Sequence, residues 1–281
     1  NYEANLFFPT VLWGMISSFC LASIFLACGY HLPQKLEKFL YLGLLIIVIP
    51  ELSHFTDAWY FLGMMGTTLL LLQPPPFLAV ATRYGVATGG ALLGFALLSL
   101  TKFNLLLLAV VCVTGIILVG GQRYSLKTAL LLLISSIVIF IGTWLVCQQS
   151  LGNLPTFLIT AWQLSSHYGE AMSQPPNLTA VWLALGTMSI TSLLVIINSF
   201  TKPLELARFI AGGIILVGLF LSWKASFVRY DAYHFPTFFS VALIAPFLLP
   251  RTPSLGGTMR AFLFRGLLLI NVLVAMGSVF Y

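Results

Sequence analysis

The chain has 281 residues, of which 13 are Lys or Arg and 7 are Asp or Glu, so charged residues make up 7% and the formal net charge is +6. Soluble domains carry roughly a quarter charged residues, and 59% hydrophobic residues with a mean hydropathy of +1.02 leave too little polar surface to cover a globule in water. Composition thus excludes a soluble domain and, by the opposite argument, a disordered chain; the solvent is lipid.

A hydrocarbon core about 30 Å thick takes roughly 20 helical residues per crossing, which leaves room for about ten spans. The apolar stretches are continuous, without the alternation of a membrane barrel, so the expected fold is an all-α polytopic integral membrane protein. Apolar segments run 6–30, 36–50, 58–73, 84–101, 103–120, 126–147, 178–199, 208–223, 237–249 and 261–280. Segments 36–50, 58–73 and 237–249 fall below the roughly 17 residues of a comfortable span, so broken helices or helices that stop at a cavity are expected there. Pro74, Pro75 and Pro76 end the third segment, and Pro175 and Pro176 end the one long loop, 148–177. Within that loop LPTFLITAWQLSS reads as a helix lying on the membrane surface over 155–166. No soluble domain and no internal repeat interrupts the series, so 1–281 reads as a single transmembrane domain. The chain begins at Asn1 without an initiator Met or a charged leader, and an upstream segment is expected.

Alternating the segments across the bilayer gathers Lys35, Lys38, Arg83, Arg123, Lys127, Lys202, Arg208, Arg251, Arg260 and Arg265 on one side, and only Lys102, Lys224 and Arg229 on the other. The first side is cytoplasmic by the positive-inside rule. Glu3, Glu51, Asp57, Glu170 and Asp231 then face outside, with His54, His167 and His234. Groups capable of acid, base or phosphate chemistry are concentrated on that external face.

The densest group is the external loop KASFVRYDAYH, which holds Lys224, Arg229, Asp231 and His234. Arg clamps phosphate through paired N–H groups, and Asp and His exchange protons. Lys102, in GFALLSLTKFNLLLLAV, has apolar sequence on both sides; at the bilayer centre it would cost roughly 2.5–3.5 kcal/mol, so it is expected at a hairpin tip or in a wet cavity. His167 and Glu170 follow the surface helix in HYGEAM, where they would line a substrate entrance. PELSHFTD presents Glu51, His54 and Asp57 at spacings of three, suited to general acid/base work. With His167/Glu170 and Asp231/His234 these form three acid/His pairs, which leaves a divalent cation as the one cofactor these residues could take. Cys20, Cys28, Cys112 and Cys147 have neither metal nor disulfide spacing and are expected as small buried hydrophobes. Gly89, Gly90 and Gly94, with Ala91, are expected to let helices approach closely.

GALLGFALLSLTKFNLLLLAVV, followed by a basic turn at Arg123 and Lys127, resembles the Gly-rich helix, Leu-Thr-Lys turn and apolar helix of the GT-C superfamily of membrane glycosyltransferases. HYGEAM and FVRYDAYH are similar to an uncharacterised bacterial branch of GT-C-like topology, and the resemblance covers about 170 residues, roughly 84 to 250. It implies a multi-pass bacterial plasma-membrane enzyme that takes a sugar from a polyprenyl-phosphate carrier on the external face. Its partners would be the lipid-linked donor and membrane lipids, with no nucleic acid. The superfamily's acidic motif lies between its first two spans, where this chain has no counterpart; either it precedes Asn1, or Glu51 and Asp57 take its place, or the chemistry differs. Only Lys102 transfers directly, at the Leu-Thr-Lys turn. Arg229, with Lys102 or Lys224, would stabilise the departing phosphate. Asp231, Glu51 or Asp57 would accept the proton of the acceptor hydroxyl, and His54, His167, Glu170 and His234 would line the substrate site. A transporter or flippase of lipid-linked glycans is the rival reading, and would keep its polar groups near the midplane; a glycan ligase or polymerase would share the external site.

Overall fold

The computed structural model describes residues 16–27, 56–74, 85–172, 178–200, 205–228, 235–249 and several helical positions between 262 and 274. Among these residues the regular structure is entirely helical: α1 (Ile16–Ala27), α2 (Thr56–Leu72), α3 (Val86–Ser99), α4 (Phe103–Arg123), α5 (Leu126–Val146), a 3-10 turn (Leu151–Asn153), α6 (Leu154–Met172), α7 (Leu178–Ser199), α8 (Leu206–Val228) and α9 (Phe235–Leu248). Helix is what an apolar solvent demands, because each backbone N–H and C=O must find its partner within the segment. Four helices, α4, α5, α7 and α8, are long and apolar enough to cross a membrane. The expected segment 36–50 lies outside the described residues.

Helix α4 is the axis of one half, packed against α2, α3, α5 and α8, while α8 joins it to the other half through α7 and α9. The deepest element is α9. Every residue from Thr237 to Leu249 is buried, against α2, α7 and α8, and its sequence has no polar face to turn outward. The segment expected as a short or broken span is therefore a core helix. Helix α5 is its opposite, an outer helix that exposes Leu130, Leu131, Ile134 and Val138. Its start is fixed by Ser125, whose hydroxyl accepts the Thr128 N–H at 3.2 Å.

Pro246 sits inside α9 and has no N–H to give to the Ala242 carbonyl four residues back. That carbonyl is reached instead by Asn271 Nδ2 and Thr191 Oγ1, each at 3.4 Å, and Thr191 Oγ1 lies 2.7 Å from Asn271 Oδ1. Side chains from α7 and the last helical segment thus repair a backbone defect in the core. Asn271→Leu should cost about 1 kcal/mol of stability. In a Pro246→Ala background, where the backbone donor is restored, the same change should cost less; detergent unfolding of the four variants in the cycle measures the difference.

Of the glycines expected to let helices approach closely, Gly94 does so against Phe19 of α1, whereas Gly89 and Gly90 do not. A Cβ at Gly89 or Gly90 would meet nothing within 4 Å, and one at Gly94 would touch only the Phe19 ring at 3.3 Å. The tight contact is between α1 and α2: a Cβ at Gly63 would lie 2.5 Å from Cys20 Cβ, one at Gly66 would lie 3.3 Å from the Ser23 carbonyl oxygen, and Thr67 Oγ1 donates to Ser23 Oγ at 2.9 Å. Small residues here let two backbones meet. Cys20 and Cys112 are buried as expected, but Cys147 is exposed at the end of α5, and Cys28 lies outside the described residues.

Candidate functional site

Helices α3 and α4 meet in a two-residue turn, Leu100 and Thr101 leading into Lys102, which is extended (φ −147°, ψ 139°) at the N-terminus of α4. Lys102 occupies the hairpin tip, as its apolar flanks require. Its ammonium reaches Asp57 in the first turn of α2, with Nζ 2.7 Å from Oδ1 and 2.6 Å from Oδ2. Asp57 is 18% exposed and Lys102 54%. Two helix N-termini, α2 and α4, therefore converge on this pair, and their free amide ends favour a negative group. At the other ends of the same two helices, Arg123 Nη2 donates to the Leu72 carbonyl at 2.9 Å. Asp57 and Lys102 thus share one end of the bundle and Arg123 occupies the opposite one.

A cavity of about 650 Å³ opens beside the pair, lined by Asp57, Lys102, Asn104 and Phe61 from below, by Lys224 from the last turns of α8, and by α6 from above. The size suits a bound small molecule, for which pockets run about 300–1,000 Å³. Among the described residues its charged lining is one carboxylate against two ammonium groups. Once Asp57 and Lys102 neutralise each other, Lys224 leaves a net positive charge, which suits an anionic ligand. Asn104 adds a buried Oδ1 that has no hydrogen-bond partner among the described residues.

The roof comes from α6, whose Thr156, Phe157, Thr160 and Leu164 recur every three or four residues and so share one helical face on the cavity. Leu158 and Ile159, away from the cavity, are exposed apolar residues. Two ring contacts tie α6 down: Phe103 with Trp162 at 5.8 Å, edge to face, and Trp144 with Phe157 at 5.1 Å. The chain reaches α6 through Gln148, a non-glycine residue at φ 60°, while Trp144 Nε1 donates to the Ser150 carbonyl at 2.9 Å. That left-handed turn is strained for a residue with a Cβ, and it sets Gln149 and Asn153 on the cavity wall.

Of the expected site residues, the structure brings Asp57, Lys102 and Lys224 to one cavity. Lys224 belongs to helix α8, which continues to Val228, and not to a loop that begins at 224. Helix α6 likewise runs on to Met172, so His167 and Glu170 lie within it and do not follow it. His167 is exposed and does not line the cavity; its Nδ1 lies 2.9 Å from the Gln163 carbonyl oxygen and 3.2 Å from Ser166 Oγ. Glu51, His54, Arg229, Asp231 and His234 lie outside the described residues. Among the described residues no group of three or more His, Cys, Asp or Glu side chains could hold a metal ion. Asp57 is engaged by Lys102. The residues that sequence reasoning passed over are Asn104, Gln149, Asn153, Thr156 and Thr160; the helical spacing of 153, 156 and 160 was the available signal. Comparison of the chain with protein-family models, characterised proteins and solved structures finds no match.

Proposed function

We propose that the chain is a multi-pass membrane enzyme that transfers a sugar from a polyprenyl-phosphate-linked donor to an acceptor hydroxyl, in the manner of GT-C glycosyltransferases. The observation that carries this reading is the meeting of one carboxylate and two ammonium groups, among the described residues, in a cavity of about 650 Å³ beside helix α6. In the proposed reaction the bond between the anomeric carbon and the phosphate oxygen breaks, and a new one forms to the acceptor oxygen. Charge grows on the departing lipid phosphate, where Lys102 and Lys224 stabilise it electrostatically. The acceptor proton passes to Asp57, which becomes free as Lys102 turns to the phosphate. The polyprenyl chain would run beside α6 into the bilayer.

The ten-span arrangement, the bacterial plasma membrane and an external active face belong to the same proposal, through the ten-to-three division of basic residues between the two sides. A flippase or transporter would hold its polar groups near the midplane, whereas Asp57 and Lys102 stand at helix ends. In membranes supplied with polyprenyl-phosphate-linked sugar, Lys102→Gln and Lys224→Gln should each lower transfer by about 10²-fold. If both variants stay within about threefold of the parent, where a lost charge-stabilising donor costs far more, the reading fails.

A further inference from the structure

A second cavity, of about 450 Å³, lies between α3, α4 and α5 at the end of the bundle opposite Asp57 and Lys102. Most of its polar residues, Arg123, Tyr124, Thr128 and Thr88, lie with Gly85 near the helix termini, and Ser135 alone stands further along α5. Its deeper walls are aliphatic, with Leu92, Ile116, Val119 and Leu132 reaching Ile139. From Thr128 to Ile139 along α5 the slot is about 16 Å long at 1.5 Å per residue. We propose that this cavity binds an anionic membrane phospholipid, with the headgroup phosphate on Arg123 and one acyl chain in the slot.

Charge is the first argument. Among the described residues that line the cavity Arg123 is the only charged one, and it is positive. Its Nη2 is engaged by the Leu72 carbonyl, but guanidinium has five N–H donors and the remainder are available to a phosphate. Unsatisfied donors are the second. Thr88 is 7% exposed, lines the cavity, and its hydroxyl has no hydrogen-bond partner among the described residues. Beside it, Gly85 starts α3 at φ 78°, and the first amide bonded back into the helix is that of Gly89, to the Gly85 carbonyl. The amides of residues 86–88 precede that bond and have no intrahelical partner. Shape is the third: inorganic phosphate would leave the aliphatic slot unfilled, and a zwitterionic lipid would bring a second cation beside Arg123 and leave the site net positive. An amphiphile with both parts satisfies the whole lining. This site is independent of the sugar-transfer reading.

Native mass spectrometry of the full chain, released from neutral detergent and titrated with dioleoyl phosphatidylglycerol, dioleoyl phosphatidylcholine or glycerol 3-phosphate, tests the proposal. Phosphatidylglycerol should bind at least about tenfold more tightly than phosphatidylcholine, since a hydrogen-bonded charge pair is at stake, and glycerol 3-phosphate should not be retained. Arg123→Gln should remove that preference. Gly89→Leu adds atoms only where a Cβ meets nothing, so it should weaken phosphatidylglycerol binding by about tenfold through lost apolar contact while its unfolding temperature in lipid-free detergent holds. Equal retention of the two lipids, retention of glycerol 3-phosphate alone, or parental phosphatidylglycerol binding by Gly89→Leu would each overturn it. The glycine variant decides the matter even if Arg123→Gln unfolds for want of its contact with Leu72.

Discussion

Replacing Asp57 with Asn should lower sugar transfer by about 10²- to 10⁴-fold, the range expected when a positioned general base is lost, with little change in stability. The stability half of the expectation follows from exposure. Lys102 is 54% exposed, so its ammonium can return to solvent when the carboxylate goes, and pairs of this kind contribute about 0–1 kcal/mol. The binding half follows from charge. Asn at position 57 removes a carboxylate from a lining that also holds Lys102 and Lys224, so the cavity becomes more positive and should hold a lipid-linked phosphate as tightly as before, or more tightly. Lys102→Gln does the reverse and should weaken donor binding while leaving the carboxylate in place. A binding assay with the labelled donor, run beside the transfer assay, separates the two roles. Should Asp57→Asn transfer sugar at the parental rate, Asp57 is a structural partner of Lys102 and the base lies elsewhere.

How much of this site could be read from residue order depends on how far apart its parts lie in the chain. Lys102 was legible because a lysine with apolar sequence on both sides has few places to go, and a hairpin tip is one. Asp57 was legible as one of the acids ahead of segment 58–73, but its partner was not: the structure pairs it with a lysine 45 residues away. Only tertiary packing of α2 on α4 makes that contact, and periodicity within one segment carries no information about it. The helix over 155–166 was legible, but its end was not: one glycine is tolerated inside a helix at a cost of about 1 kcal/mol, and α6 runs through Gly169 to Met172. Segment 237–249 shows the converse. Too short for a comfortable span and without a polar face, it reads as a helix enclosed by others, and α9 is buried along its whole described length.

Gly63→Leu should be the most damaging single change in the bundle, because the obstacle it meets is backbone. A Cβ at position 63 would lie 2.5 Å from Cys20 Cβ and 2.8 Å from Cys20 Cα, so no rotamer of residue 20 can make room. The helices must separate, and separation also breaks the Thr67–Ser23 hydrogen bond one turn away. Overpacking costs about 1–3 kcal/mol where side chains can yield; here they cannot, so a loss of about 3 kcal/mol or more is expected, a large part of the roughly 5–15 kcal/mol that holds a domain folded. Two companions make the cause visible. Cys20→Ala should not rescue Gly63→Leu, since the Cα and Cβ of residue 20 remain, whereas Gly90→Leu, at a position with nothing within 4 Å of its Cβ, should be tolerated. Monodisperse yield and unfolding temperature in detergent report all three. Because Gly63 is less than two turns from Asp57 on α2, any Gly63→Leu protein that does fold should hold Asp57 away from Lys102 and transfer sugar poorly. Rescue by Cys20→Ala would instead show that only the Cys20 sulfur fills the space, and that α1 and α2 can tolerate a Cβ between them.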